Sequence, residues 1–338
     1  MKKSLISALL LAGATLLPPS LNAAPLKVGL SLPTQREERW VRDKGVMEAY
    51  AKTLGIDLKV AVADADMAQQ AQQVENLISQ GVQVLILAPH DGAAAASLVT
   101  KCKAEGIKVV AYDRLIMNSP DLAVYVSFDN FGVGVQQGNY LAGLAKKGLK
   151  GNLIVMSGAP TDNNAKLFKD GAMSVLKPLI GNGTFKVVTD QAVDNWLPAN
   201  ALSIVENALT ANKNNIQAIL APNDGTAGGA IQALAAQGLA GKVPITGQDA
   251  EAAAAKRILA GTQSMTIYKD TRVSAKAAVD AAIALTKGGD ALKKMVNGAP
   301  INNGAGMIPY VSVPVTIVTK ANIKVLTDSG YLKEADLK

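Results

Sequence analysis

Short apolar runs alternate along most of the chain with stretches of helical length and helical periodicity, and no other feature restricts the fold as strongly. The runs that read as strands are 27–32, 57–62, 84–87, 108–112, 124–127, 152–157, 186–189, 218–221, 245–247 and 265–268. Between most of them lie amphipathic segments such as MAQQAQQVENLISQ, which places Ala71, Val74, Leu77 and Ile78 on one face. Continuous apolar strands joined by helical crossovers predict parallel sheets covered on both faces. The strands are too many for one such sheet at this length, so an α/β chain of two Rossmann-like lobes, each with about five strands, is expected.

The first residues, MKKSLISALLLAGATLLPPSLNAAP, carry two lysines, an apolar run and then small residues. That is the pattern of an export signal cut after Ala23. The apolar run is short for a membrane span, and a periplasmic location is expected. Without Lys2 and Lys3 the 34 basic residues become 32 against 27 acidic ones, a net of +5. The excess is spread out and contains no basic block interleaved with aromatics, so nucleic acid is not an expected partner. Cys102 is the one cysteine, which excludes an intramolecular disulfide; its helical context predicts a small core residue.

The run KVVAY ends abruptly in Asp113 and Arg114, two residue types costly to bury. In open parallel sheets, ligands bind beyond the carboxyl ends of the strands. The positions just past the other runs are 34–40, Asp64, 89–91, 157–164, 190–196, Asn223 with Asp224, Gln248 with Asp249, and Lys269 with Asp270. They are rich in carboxylates, amides and cations. Both tryptophans, Trp40 and Trp196, fall among them.

Enzyme chemistry finds little support in this set. His90 is the one histidine, which excludes multi-histidine metal sites and leaves it a loop residue. Asp113 and Asp249 resemble a glycosidase pair, but Arg114 and Lys269 nearby would keep both ionised, with no proton donor. Asp64, Asp66 and Glu75 match three positions of a calcium loop; Gln69 stands where that loop needs glycine, and the segment is helical in pattern. The glycines of FGVGVQQGNY do not form a dinucleotide fingerprint. No cofactor is expected. A neutral polyhydroxylated ligand suits the residues better: each hydroxyl donates and accepts, charged partners strengthen those bonds, and tryptophan offers a flat apolar face to a pyranose.

Several segments are distinctive: REERW (36–40), AYDR (111–114), SFDN (127–130), DNNAKLFKDGAM (162–173), DNWLPANALSIVENALTANKNNI (194–216), PNDGTAGGAIQALAAQGLAGKV (222–243), GQDA (247–250) and GTQSMTIYK (261–269). Through them the mature chain resembles the ribose/galactose-type periplasmic sugar-binding family of bacterial ABC importers, and within it the D-xylose-binding branch. The resemblance implies a type I periplasmic binding protein fold, a non-enzymatic monomer, a D-xylose ligand and a membrane permease as partner. Ribose, arabinose or glucose are alternative ligands, and a sugar-processing enzyme is the alternative class. A ligand-responsive repressor core would need a helix-turn-helix where the export signal stands.

Carried onto this chain, the resemblance implies sugar contacts from Arg39, Asp113, Arg114, Asn163 or Asn164, Asn223, Asp249 and Lys269, with Trp40 and Trp196 enclosing the ring. It further implies one lobe from 24–128 with 266–306 and another from 129–265 with 307–338. Three crossings are expected near 127–130, 262–266 and 306–314.

Overall fold

The computed structural model describes residues 24–338; the expected export signal, 1–23, lies outside them. The first part of the chain runs β1 (Lys27–Leu32), α1 (Glu38–Thr53), β2 (Asp57–Val62), α2 (Met67–Ser79), β3 (Val84–Leu87), α3 (Ala96–Ala104), β4 (Lys108–Tyr112) and β5 (Val124–Phe128). These strands pair in parallel. Every residue of β3 and β5 is buried because helices cover both faces. Alternate residues serve the two faces: Val84, Ile86, Val110 and Tyr112 pack toward α1, whereas Leu85, Leu87, Val109 and Ala111 pack toward α2 and α3. Asp66, one member of the calcium-like spacing, caps α2 by accepting from the N–H groups of Ala68 and Gln69.

The second part runs α4 (Asn130–Ala145), β6 (Gly151–Ser157), α5 (Asn163–Gly181), β7 (Phe185–Ala192), α6 (Pro198–Ala211), β8 (Ala218–Leu220), α7 (Asp224–Ala236), α8 (Ala252–Ala260) and β9 (Thr266–Lys269). Central β6 pairs in parallel with β7 and β8. The run 245–247 joins through a single bridge, Ile219 to Ile245. The glycines of FGVGVQQGNY serve packing: a Cβ on Gly134 would lie 2.0 Å from the Phe168 carbonyl oxygen, so the missing side chain lets α4 press against α5.

The C-terminal part returns to the first sheet through α9 (Thr271–Lys287), α10 (Gly289–Lys293), β10 (Gly298–Asn302) and β11 (Met307–Val313), then leaves it through β12 (Val315–Val318) and α11 (Val325–Asp328). The large sheet has seven strands in the order β10-β11-β5-β4-β3-β1-β2, with β10 antiparallel at its edge. It is larger than the expected five.

One of the three crossings and one lobe boundary also differ from the sequence reading. β9 pairs antiparallel with β12, and the Ile267 N–H donates to the Gly247 carbonyl, so this strand stays with the second lobe. The chain crosses after Lys269, and α9 carries Ala275, Ala278 and Ala282 into the first core. β11 pairs in parallel with β5, which places 307–313 in the first lobe and the last crossing at Pro314. An apolar run predicts a strand but not its neighbour, so 265–268 could be drawn in either sheet. The crossing where β5 passes into α4 lies within the expected 127–130, and the one at Pro314 lies within the expected 306–314, although the lobe boundary drawn at 306/307 does not hold.

Candidate ligand-binding site

The strand ends of the two lobes face one another across a cleft. Nine expected residues line one cavity there: Arg39, Trp40, Asp113, Arg114, Asn164, Trp196, Asn223, Asp249 and Lys269. It holds about 350 Å³ of empty space, its mouth included. Asn163 does not join them. It is adjacent to Asn164 on α5, and a helix turns about 100° per residue, so the two amides diverge; Asn163 lines a neighbouring cavity beside Thr161 and Lys166.

Each cation of the site has a carboxylate. Arg39, in the first turn of α1, meets Asp113 at 2.7 Å and Asp43, one turn along, at 2.9 Å. Arg114 meets Asp162 at 3.1 Å, and Lys269 meets Asp249 at 2.7 Å. All of these groups are buried. Burial pushes the Asp113 carboxyl up, but Arg39, Lys269 and Arg114 outweigh it and hold that acid below its ordinary value. Burial dominates at Asp162, which is raised despite Arg114. Asp113 is thus an ionised acceptor of hydrogen bonds rather than a proton donor.

The backbone is bent to deliver these side chains. Asp113 (φ 60°), Trp196 (φ 58°) and Asp249 (φ 97°) occupy the left-handed region, which costs of order 1–3 kcal/mol each and persists only where surroundings enforce it. At Asp113 the carbonyl accepts from Tyr125 Oη (2.6 Å), Ser127 Oγ (2.7 Å) and Asn164 Nδ2 (2.9 Å). Asn164 comes from the opposite lobe, and its Oδ1 accepts from Asn130 Nδ2 at 3.0 Å. Its amide therefore ties the lobes together, leaving one N–H for a ligand.

Trp40 lies beside two guanidinium groups, with Arg39 4.4 Å and Arg114 5.5 Å from the ring centre. Trp196 meets the edge of Phe168 at 6.4 Å between centroids and stands directly over Gly158, where a Cβ would come within 2.0 Å of the indole. Apart from Asp249 Oδ1, which faces Lys269 in an ion pair, four buried polar atoms at the cavity have no hydrogen-bond partner: Arg39 Nε, Glu37 Oε2, Trp196 Nε1 and Gln248 Oε1. Buried polar atoms are rarely left unpaired, and two donors beside two acceptors suit a ligand that both accepts and donates.

Glu37, Asp162, Phe168 and Gln248 line the cavity without being among the expected residues. Glu37, Asp162 and Gln248 lie just past strands, where the strand-end rule already points. Phe168 is four residues after Asn164, so the same helix face carries both. His90 does not line the cavity; its backbone N–H donates to Gln70 Oε1, and burial, then Arg114, lowers its imidazole pKa. Cys102 is buried, with its thiol pushed up to about 11 by burial, and is inert core as expected.

Two α/β lobes, three crossings and one buried polar cavity between opposed strand ends define a solute-binding protein of the clamshell class. The chain belongs to the periplasmic binding protein family: a profile for the periplasmic binding protein domain matches residues 28–290. It is 46% identical over 333 residues to a D-xylose-binding periplasmic protein of Haemophilus influenzae, covering 97% of this chain and 98% of the relative. A D-xylose-binding periplasmic protein of Escherichia coli is 45% identical over 317 residues, 94% of each chain. An ABC transporter solute-binding protein from Clostridium phytofermentans, solved with bound β-D-glucose, superposes with a TM-score of 0.85 at 36% identity, over 92% of this chain and all of the other. The fold is accordingly the type I periplasmic binding fold, and the relatives are receptors rather than enzymes.

Proposed function

We propose that the protein is an exported periplasmic receptor that captures D-xylose between its lobes, as a monomer, and presents it to the permease of an ABC importer. The observation that carries this reading is the buried cavity with its unpaired donors and acceptors between two tryptophans. A pentose pyranose would place hydroxyls against Arg39, Asp113, Arg114, Asn164, Asn223, Asp249 and Lys269, and C–H faces against Trp40 and Trp196. The near full-length likeness to two D-xylose-binding proteins supports the choice of sugar.

Closure follows from geometry. Arg39, Asp113 and Arg114 stand on one lobe and Trp196, Asn223 and Asp249 on the other, so a sugar touches all of them only when the lobes are together. Its differential affinity shifts the equilibrium toward that state. Export with cleavage after Ala23 belongs to the same proposal; among the described residues, no helix is long and apolar enough to cross a membrane.

A second reading, a glucose receptor, is favoured by the sugar bound in the Clostridium relative. Isothermal titration of sugar-stripped protein with D-xylose, ribose, L-arabinose, glucose and galactose separates the two. One-to-one binding tightest for D-xylose is expected. Tighter binding of glucose would retain the receptor and replace its ligand, and no heat with any sugar would refute the proposal.

A further inference from the structure

We infer that Glu37 is a sugar-contacting residue of this cavity, accepting a hydrogen bond from a ligand hydroxyl through Oε2 and biasing the site toward neutral sugars. The inference rests on the receptor reading above and adds a contact that the resemblance does not supply.

Glu37 immediately precedes α1, with extended backbone (φ −77°, ψ 134°). Glutamate is not among the residues that favour the N-cap, and this side chain makes no cap hydrogen bond. Its carboxylate turns instead to its neighbour: Oε1 accepts from Arg36 Nε at 3.1 Å and from Arg36 Nη2 at 2.9 Å. The same Nη2 donates to the Asn195 carbonyl on the opposite lobe, next to Trp196. Arg36 thus fixes one carboxylate oxygen of Glu37 and joins the two lobes in a single clasp.

The other oxygen is left over. The Glu37 side chain is only 9% exposed, Oε2 is buried without a partner, and the residue lines the cavity. A buried carboxylate oxygen without a donor is costly, and a sugar hydroxyl is the donor that closure would bring. The same charge acts on the choice of ligand: with Asp113, Asp162 and Asp249 it adds a fourth carboxylate to the lining. A sugar acid or sugar phosphate would bring its own negative charge against this group, whereas a neutral hydroxyl is welcomed by it.

The test is calorimetry of D-xylose, D-xylonate and the 2-, 3- and 4-deoxy derivatives of xylose with wild type, Glu37→Gln and Glu37→Leu, with melting temperatures recorded for each. Hydrogen bonds to charged groups predict a roughly ten- to hundredfold weaker D-xylose complex for Glu37→Leu, and a smaller loss for the isosteric Glu37→Gln. The loss should vanish with the one deoxy sugar that lacks the partner hydroxyl and persist with the other two. D-xylonate should gain relative to D-xylose in both variants. Unchanged D-xylose affinity in both variants, or an equal loss across all deoxy sugars, overturns the inference while leaving the receptor intact. Absence of wild-type binding to any neutral sugar overturns the receptor reading and this contact with it.

Discussion

The two tryptophans that wall the cavity are built in opposite ways. Trp40 sits in the first turn of a sixteen-residue helix and packs into the core with Val28, Leu30 and Met47. Trp196 stands on the short turn Asp194–Trp196, with left-handed backbone at Asn195 (φ 53°) and at itself, and its indole N–H is unpaired. One wall is carried by a long helix; the other, packed among Val133, Ala165, Phe168 and Met265, is carried by a turn with left-handed backbone. Precision at such a site comes from regular elements, and adaptability from loops that the rest of the fold holds under strain.

Replacing each tryptophan with alanine should separate these roles. Trp40→Ala removes a core side chain and should cost on the order of 3–5 kcal/mol of stability in denaturant titrations, along with sugar binding. Trp196→Ala should also lose sugar binding with a clearly smaller fall in stability. Equal stability losses would erase the contrast.

Gly158→Ala sharpens it. Gly158 lies outside the left-handed region, so its φ suits alanine, and the three atoms nearest to an added Cβ all belong to the Trp196 ring. The displaced ring should weaken sugar binding roughly tenfold or more, in line with an overpacking strain of about 1–3 kcal/mol. The same strain should lower the melting temperature of Gly158→Ala, and in a Trp196→Ala background the substitution should leave the melting temperature almost unchanged. Additive losses would mean that Gly158 does not act through the ring.

The smallest effect concerns pH, and it too is confined to the Trp196 side. Asp224 lies behind the site, and its carboxyl is pushed up to about 7 by burial and then by Asp249. Glu251 is pushed up to about 9 by burial and by Asp224, Asp249 and Glu38, with Arg257 opposing. Both acids bind protons more tightly folded than unfolded, so stability should decline as pH rises from about 5 toward 9. Glu251→Gln should flatten the upper part of that decline in melting-temperature scans. A wild-type melting temperature that rises across this window would contradict the assignment.

The same contrast governs what the sequence discloses. In the first lobe, β3 and β4 are unbroken apolar runs because helices bury both faces, and their ends announce Asp113 and Arg114. β10 and β11 carry proline within them and β12 is only four residues long, so no clear apolar run marks them, and their pairing decides two crossings. Trp196, Asn223 and Asp249 are legible as strand-end residues, but not the bent backbone that aims two of them. Asn163 is drawn in by sequence adjacency alone and excluded by helix phase. Glu37 falls within the strand-end stretch 34–40, but the sequence does not show that Arg36 holds one of its carboxylate oxygens and leaves the other buried without a partner.

The most direct test of the account is a crystal structure of the protein grown with D-xylose. The expected result is one pyranose in the cavity, its faces toward Trp40 and Trp196 and its hydroxyls on Asp113, Arg114, Asn223 and Asp249. A sugar bound elsewhere, or a cavity that stays empty of sugar at saturating D-xylose, would contradict it.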